Sequence, residues 1–269
     1  MRVRAWLSLG LLSVSLSAAA AEAPAPAPAF GDKGVLRVLR MDARPDDPFF
    51  NLSDERPGFD RELLEGFARL YKLRLEIVTV PSWEDLVPAL LGKKGDIAAG
   101  RFTVTPARAK VIAFTVEAFP TRHVVLTRKP NRTILTRDEL RGAKVAAVKG
   151  SAVEEAVLAA GVPRANLVNI GPTVSADALK DARVTAVVTN VETAIVEART
   201  DSALQLGLFL GPPRSMAYAV RKEDTALRKA LDDYLENTRR SAVWNRLVVK
   251  YFGQAGLEIL KTAREGTKQ

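Results

Sequence analysis

The sequence predicts an α/β protein built as two lobes, with the chain crossing between them twice. Strand and helix patterns alternate from residue 34 to residue 100, and a second alternation begins at residue 143, the mark of parallel α/β layers. Two extended apolar runs, "RHVVLTRK" (122–129) and "SMAYAVRK" (215–222), are suited to the crossings. The 269 residues include no cysteine, so no disulfide can staple the fold. Hydrophobic cores must hold it instead, and 47% hydrophobic residues can supply them.

Taken in order, "GVLRVLRM" (34–41) is rich in leucine and valine and fits a buried first strand. "FDRELLEGFARLYKL" places Phe59, Leu63, Leu64, Phe67 and Leu70 on one side of a helix. "RLEIVTV" (74–80) alternates as a strand. "SWEDLVPALLGKK" opens on Ser82 as an N-cap and closes near Gly92, and "GDIAAG" starts a third strand. The second lobe repeats the scheme. "AKVAAVKG" (143–150) is a strand, "SAVEEAVLAAG" a helix, "NLVNI" a strand, "SADALKDAR" a helix, "VTAVVTN" (184–190) a strand and "VETAIVEAR" a helix. Helices at "ALRKALDDYLENTRRS" and "VWNRLVVKYFG" follow the second crossing. A cleft between two such lobes lies at strand ends, where open α/β sheets bind ligands.

The ends and the charge narrow the class. Arg2 and Arg4, the apolar run Ala5 to Leu16 and the small residues to Ala21 read as a cleaved signal peptide (1–21), followed by a Pro/Ala-rich spacer (22–33). The mature protein is then expected in the periplasm. Without cysteine it cannot be a lipoprotein, and with His123 as its one histidine the usual zinc sites lack ligands. The formal charge is +9, but basic and acidic residues are mixed along the chain without interleaved aromatics. No nucleic-acid partner is expected.

In "AAGRFTVTPARAKVIAFT" (98–115), Thr105 and Pro106 form an N-cap and first residue of a helix. Arg108 then stands in the first turn, as a surface residue or as a clamp on an anion. Its planar fork can make two parallel bonds to a carboxylate. "VKGSAVEE" is a glycine turn opening a helix, where Ser151 and Glu154 could form a capping box and free N–H groups could meet an anion.

"GFDRELLEGFARL", "GKKGDIAAGRFTVTPARAKVIAF" and "AYAVRKEDTALRKALDDYLENTRRSAVWNRLVVKYFG" together resemble the bacterial solute-binding protein family 3, the periplasmic amino-acid-binding receptors. They are also similar to the non-catalytic N-terminal domain of membrane-bound lytic transglycosylases. The resemblance spans almost all of residues 34–253. It implies a two-lobed Venus-flytrap fold of periplasmic binding protein type II, with lobe I at 34–127 and 218–269 and lobe II at 128–217. It implies Thr103 and Arg108 as ligand contacts in lobe I, and the turn Gly150, Ser151 and Ala152, beside Lys149, as the opposing jaw. Phe49, after "RPDDP", would form a cleft wall.

Two positions depart from the family. Asn190 stands where an aspartate usually pairs with a ligand's α-ammonium, so either Asp42 or another acid compensates or the ligand has no such group. Arg101 replaces a small or neutral residue; it points inward as a second cation or outward into solvent. The resemblance implies a monomeric, non-enzymatic receptor without metal or cofactor. It would carry a small carboxylate to an inner-membrane ABC permease or a signalling partner. Alternatives are a sensor of cell-wall fragments, or a cyclohexadienyl dehydratase-like enzyme using Asp42, Asp46 or Asp47.

Overall fold

The computed structural model describes residues 34–41, 47–51, 53–149, 151–171, 176–180 and 184–265. The expected signal peptide and spacer, Asp42, Asp46 and Gly150 lie outside them. In chain order the elements are β1 (Val35–Met41), α1 (Phe59–Leu70), β2 (Arg74–Val80), α2 (Trp83–Leu91), β3 (Ile97–Ala98), α3 (Pro106–Ala109), β4 (Ala113–Phe114) and β5 (Phe119–Arg128). There follow α4 (Arg137–Gly142), β6 (Val145–Val148), α5 (Ala152–Ala159), β7 (Leu167–Ile170), β8 (Ala186–Asn190), α6 (Val191–Thr200) and β9 (Leu204–Met216). β10 (Ala219–Val220), α7 (Thr225–Arg240), α8 (Val243–Phe252) and α9 (Gln254–Glu265) complete the chain.

Two five-stranded sheets form the lobes, in the orders β2-β1-β3-β10-β4 and β7-β6-β8-β5-β9. Within each, the strands joined by helices run parallel: β1 with β2 and β3, and β6 with β7 and β8. The strands that return from a crossing are antiparallel. β10 enters between β3 and β4, and β5 pairs with β8 and β9. The second crossing is longer than "SMAYAVRK" suggests, because β9 begins at Leu204 and runs through Pro212 and Pro213. An edge strand tolerates proline, which has no N–H to donate. The helix expected at "SADALKDAR" is, in its described part, a short 3-10 turn over Asp177–Lys180.

α1 buries Phe59, Leu63, Leu64 and Phe67 as its spacing predicts, but Leu70 is exposed and Asp60 is buried. Gly58 enters α1 at φ 98°, and a Cβ there would stand 2.5 Å from the Phe49 carbonyl. The centre of the molecule is an aromatic knot around Phe119, the first residue of β5. Its ring lies 4.9 Å from Phe49, 5.1 Å from Phe59 and 5.0 Å from Phe252. Trp244 packs beside it and donates its indole N–H to the Ala118 carbonyl at 2.7 Å. Phe49 has no exposed surface, so it belongs to this core and forms no wall of the cleft. A Phe after a polar loop is drawn inward when burial of its ring gains about 2–3 kcal/mol.

The apolar cluster is continuous across the lobes, joining Val38 and Phe59 of lobe I to Val187 and Leu204 of lobe II. α9, which has no counterpart among the predicted elements, packs on α6, β5 and β9 as well as α8. Residues 254–265 thus lie against lobe II and the crossing strands, although the resemblance assigns them to lobe I.

Candidate functional site

The chain segment 102–104 is pinned by the end of the second crossing. Thr103 bridges to Met216, Val104 N–H bonds to the Ser215 carbonyl at 2.9 Å, and Ala217 N–H to the Phe102 carbonyl at 3.1 Å. The short helix α3 follows, capped by Thr105, whose hydroxyl accepts the Arg108 N–H. This cap aims the Arg108 side chain back over the segment. Its Nη1 donates to the Thr103 carbonyl at 2.8 Å, and its guanidinium carbon lies 4.3 Å from the centre of the Phe102 ring. Partial burial lowers its pKa, yet an arginine stays protonated. No described acid forms a salt bridge with it.

Arg101 takes a left-handed backbone at φ 62°, a conformation that costs on the order of 1–3 kcal/mol outside glycine. The Asp60 carboxylate holds it there by accepting the Arg101 N–H at 3.2 Å, while its other oxygen accepts the Tyr218 hydroxyl at 3.0 Å. Burial, with Asp47 adding repulsion, raises the Asp60 pKa to about 7. The Arg101 guanidinium reaches the Asp47 carboxylate at 2.8 Å. Arg101 therefore lines the cleft with its charge already paired. Asp47 also accepts the N–H groups of Phe49 and Phe50, which ties it to the loop.

Lobe II contributes the ends of β6 and β8. Ser151 caps α5, accepting the Glu154 N–H and donating to the Val148 carbonyl at 2.6 Å; Lys149 is exposed and is not among the residues lining the cavity described below. Asn190 ends β8 opposite His123 of β5. Its Oδ1 lies 2.9 Å from His123 Nδ1. Burial, with Arg214 nearby, lowers the His123 pKa, and because an amide oxygen only accepts, the ring N–H donates to it.

Two residues further on, Glu192 is 1% exposed. Its Oε2 accepts the Thr121 hydroxyl at 2.7 Å. Burial pushes its pKa up, opposed by Thr121, its own backbone N–H, the Arg101 charge and the Asn190 amide. Sequence reasoning missed Glu192, because an acid in a helix's first turn ordinarily reads as a solvated complement to the helix dipole.

These walls enclose a cavity of about 390 Å³, to which Arg101, Thr103, Arg108, Ser151, Asn190 and Glu192 all contribute. It lies at the carboxyl ends of the parallel strands, as the fold requires. A cavity of about 420 Å³ also opens beside Asn51, Arg199 and Tyr251, away from those strand ends and edged by the exposed Ser53, Glu55 and Arg56. Among the described residues, no cluster of His, Cys, Asp or Glu is placed to hold a metal, and no helix is long and apolar enough to cross a membrane.

A family model for bacterial extracellular solute-binding proteins, family 3, matches residues 39–254. The chain is 26% identical over 210 residues to a probable histidine-binding protein of Neisseria gonorrhoeae, covering 76% of this chain and 78% of that one. It is 25% identical over 233 residues to membrane-bound lytic murein transglycosylase F of Stutzerimonas stutzeri, covering 82% of this chain and 47% of the transglycosylase. Among solved structures, an ancestral arginine-binding protein bound to arginine superposes with a TM-score of 0.63 at 25% identity, covering 82% of this chain and 99% of that one.

Proposed function

The chain belongs to the bacterial extracellular solute-binding proteins, family 3, and on that premise we propose that it is an exported, non-enzymatic receptor. It closes its lobes on a small carboxylate-bearing solute, an amino acid or a related acid, and delivers it to an inner-membrane ABC permease or a signalling partner. Arg108 carries this reading. It is a half-buried guanidinium, fixed by the Thr103 carbonyl and the Phe102 ring, with no described carboxylate as salt-bridge partner, on the wall of an interlobe cavity. Its remaining donors suit a ligand carboxylate. Contacts from both lobes favour the closed state only when a ligand spans them. The names of the relatives, one histidine-binding and one arginine-binding, support the amino-acid class.

The experiment is a thermal-shift screen of amino acids, dicarboxylates, keto acids and cell-wall peptides, with Arg108→Ala beside the wild type. A ligand at about 100 times its Kd should add about 2.7 kcal/mol to the stability of the wild type. Arg108→Ala should weaken binding by about 1.5–3 kcal/mol, roughly 10- to 150-fold. Equal shifts in both proteins would remove Arg108 from the site. Turnover of prephenate or arogenate would make the protein an enzyme, and a response to cell-wall peptides alone would favour a sensor.

A further inference from the structure

Arg101 stands in the cleft with support that a surface residue does not need. The turn Gly100–Arg101 carries two successive positive φ angles, 82° and 62°. Glycine takes such a conformation freely, whereas an arginine must be held in it, and strain of this kind gathers at ligand clamps. The buried Asp60 holds the backbone through the Arg101 N–H. Asp47, also buried, meets the guanidinium from one side, and the centre of the Phe49 ring lies 6.0 Å from the guanidinium carbon. That ion pair occupies Nη2 alone, at 2.8 Å from one Asp47 oxygen. No described residue bonds Nε or Nη1, and the side chain keeps 29% of its surface exposed on the wall of the cavity between the lobes.

Charge on the lining is one-sided. Arg101 and Arg108 are its cations, both on the lobe I segment that carries Thr103, and Glu192 is its one acid among the described residues. Glu192 is 1% exposed and bonded through Oε2 to Thr121, and burial drives its carboxyl towards the neutral form. Asn190 is neutral, with Oδ1 engaged by His123. With one solute carboxylate at Arg108, the Nε and Nη1 donors of Arg101 remain open, and a planar guanidinium fork suits a second carboxylate.

We infer that Arg101 is a second anion-binding group of the cleft, so that the solute carries two acidic groups, one at Arg108 and the other at Arg101. This rests on the receptor reading above and names its solute class: a dicarboxylic acid, with or without an amino group. The same guanidinium repels a cationic side chain. The cleft therefore rejects arginine, the ligand that one of the structural neighbours holds.

Calorimetric titration of the purified protein tests this with isosteric pairs: L-glutamate, L-aspartate, glutarate and succinate against L-glutamine, L-asparagine, glutaramate and succinamate, in which an amide replaces one carboxylate. L-arginine serves as the cationic probe. At least one diacid should bind the wild type, with its monoamide about tenfold weaker or worse, the loss expected when a charge-assisted bond becomes a neutral one. L-arginine should bind more weakly than that diacid. Arg101→Gln should weaken the diacid by a similar factor and leave the monoamide unchanged. Arg101→Lys keeps the charge without the fork, serves as a second variant should the first not fold, and should weaken the diacid less. Where Arg108→Ala still weakens binding, any of three outcomes would overturn the assignment and leave the receptor reading standing: equal affinity for diacid and monoamide, L-arginine bound more tightly than every diacid, or undiminished diacid binding in Arg101→Gln. If the thermal-shift screen returns only solutes with one acidic group, the assignment falls alone. If that screen returns nothing, both readings fall.

Discussion

Asp60 shows how a single residue can shape the site without entering it. Its carboxylate holds Arg101 in a left-handed turn at the mouth of the cleft, and burial lifts its pKa to about 7 from an ordinary 3.8. Between those values the folded protein binds a proton that the unfolded chain has released. The stabilisation from this group is complete below pH about 4, diminishes as pH rises and is gone above about 7, at up to about 1.4 kcal/mol per pH unit. Asp60→Asn, which imitates the protonated form, should flatten the fall in melting temperature between pH 5 and 8. A wild-type melting temperature that is level over that range would refute the elevated pKa. Neither Asp60 nor Glu192 stood out in the sequence, since each is an acid in a helix's first turn and only tertiary burial sets it apart. Arg108 and Thr103, which line the cavity, were singled out only by the resemblance, and the Thr-Pro cap could be read from the residues alone.

At the scale of elements, the strand–helix alternation was legible because α1 carries its apolar residues at helical spacing and β2, β6 and β8 are short runs rich in β-branched residues. What escaped was decided by neighbours. β3 and β10 are two-residue strands that exist only through their pairing. α9 follows directly on Gly253 and owes its place to the surface offered by α6, β5 and β9. The entry to α1 gives a sharp test. Gly58 combines a positive φ with a carbonyl in the space a Cβ would need, so Gly58→Ala should destabilise by well over about 1 kcal/mol. Chemical denaturation would measure it, and a loss within error of zero would mean the loop can relax away from Phe49.

For the whole molecule, the deciding feature is the path of the core. Each lobe keeps a smaller apolar cluster of its own, but the rings around Phe119 connect both sheets through the crossing strand. The two lobes therefore share one thermodynamic fate. Differential scanning calorimetry should record a single heat-absorption peak whose calorimetric and van't Hoff enthalpies agree, and two resolved peaks would refute the shared core. Phe119→Ala, which removes about 3–5 kcal/mol of packing, should lower that one peak as a unit. In the lobe closure proposed above, the strand that crosses between the lobes would also be their keystone: its burial keeps both folded, so closure has to proceed without opening the knot.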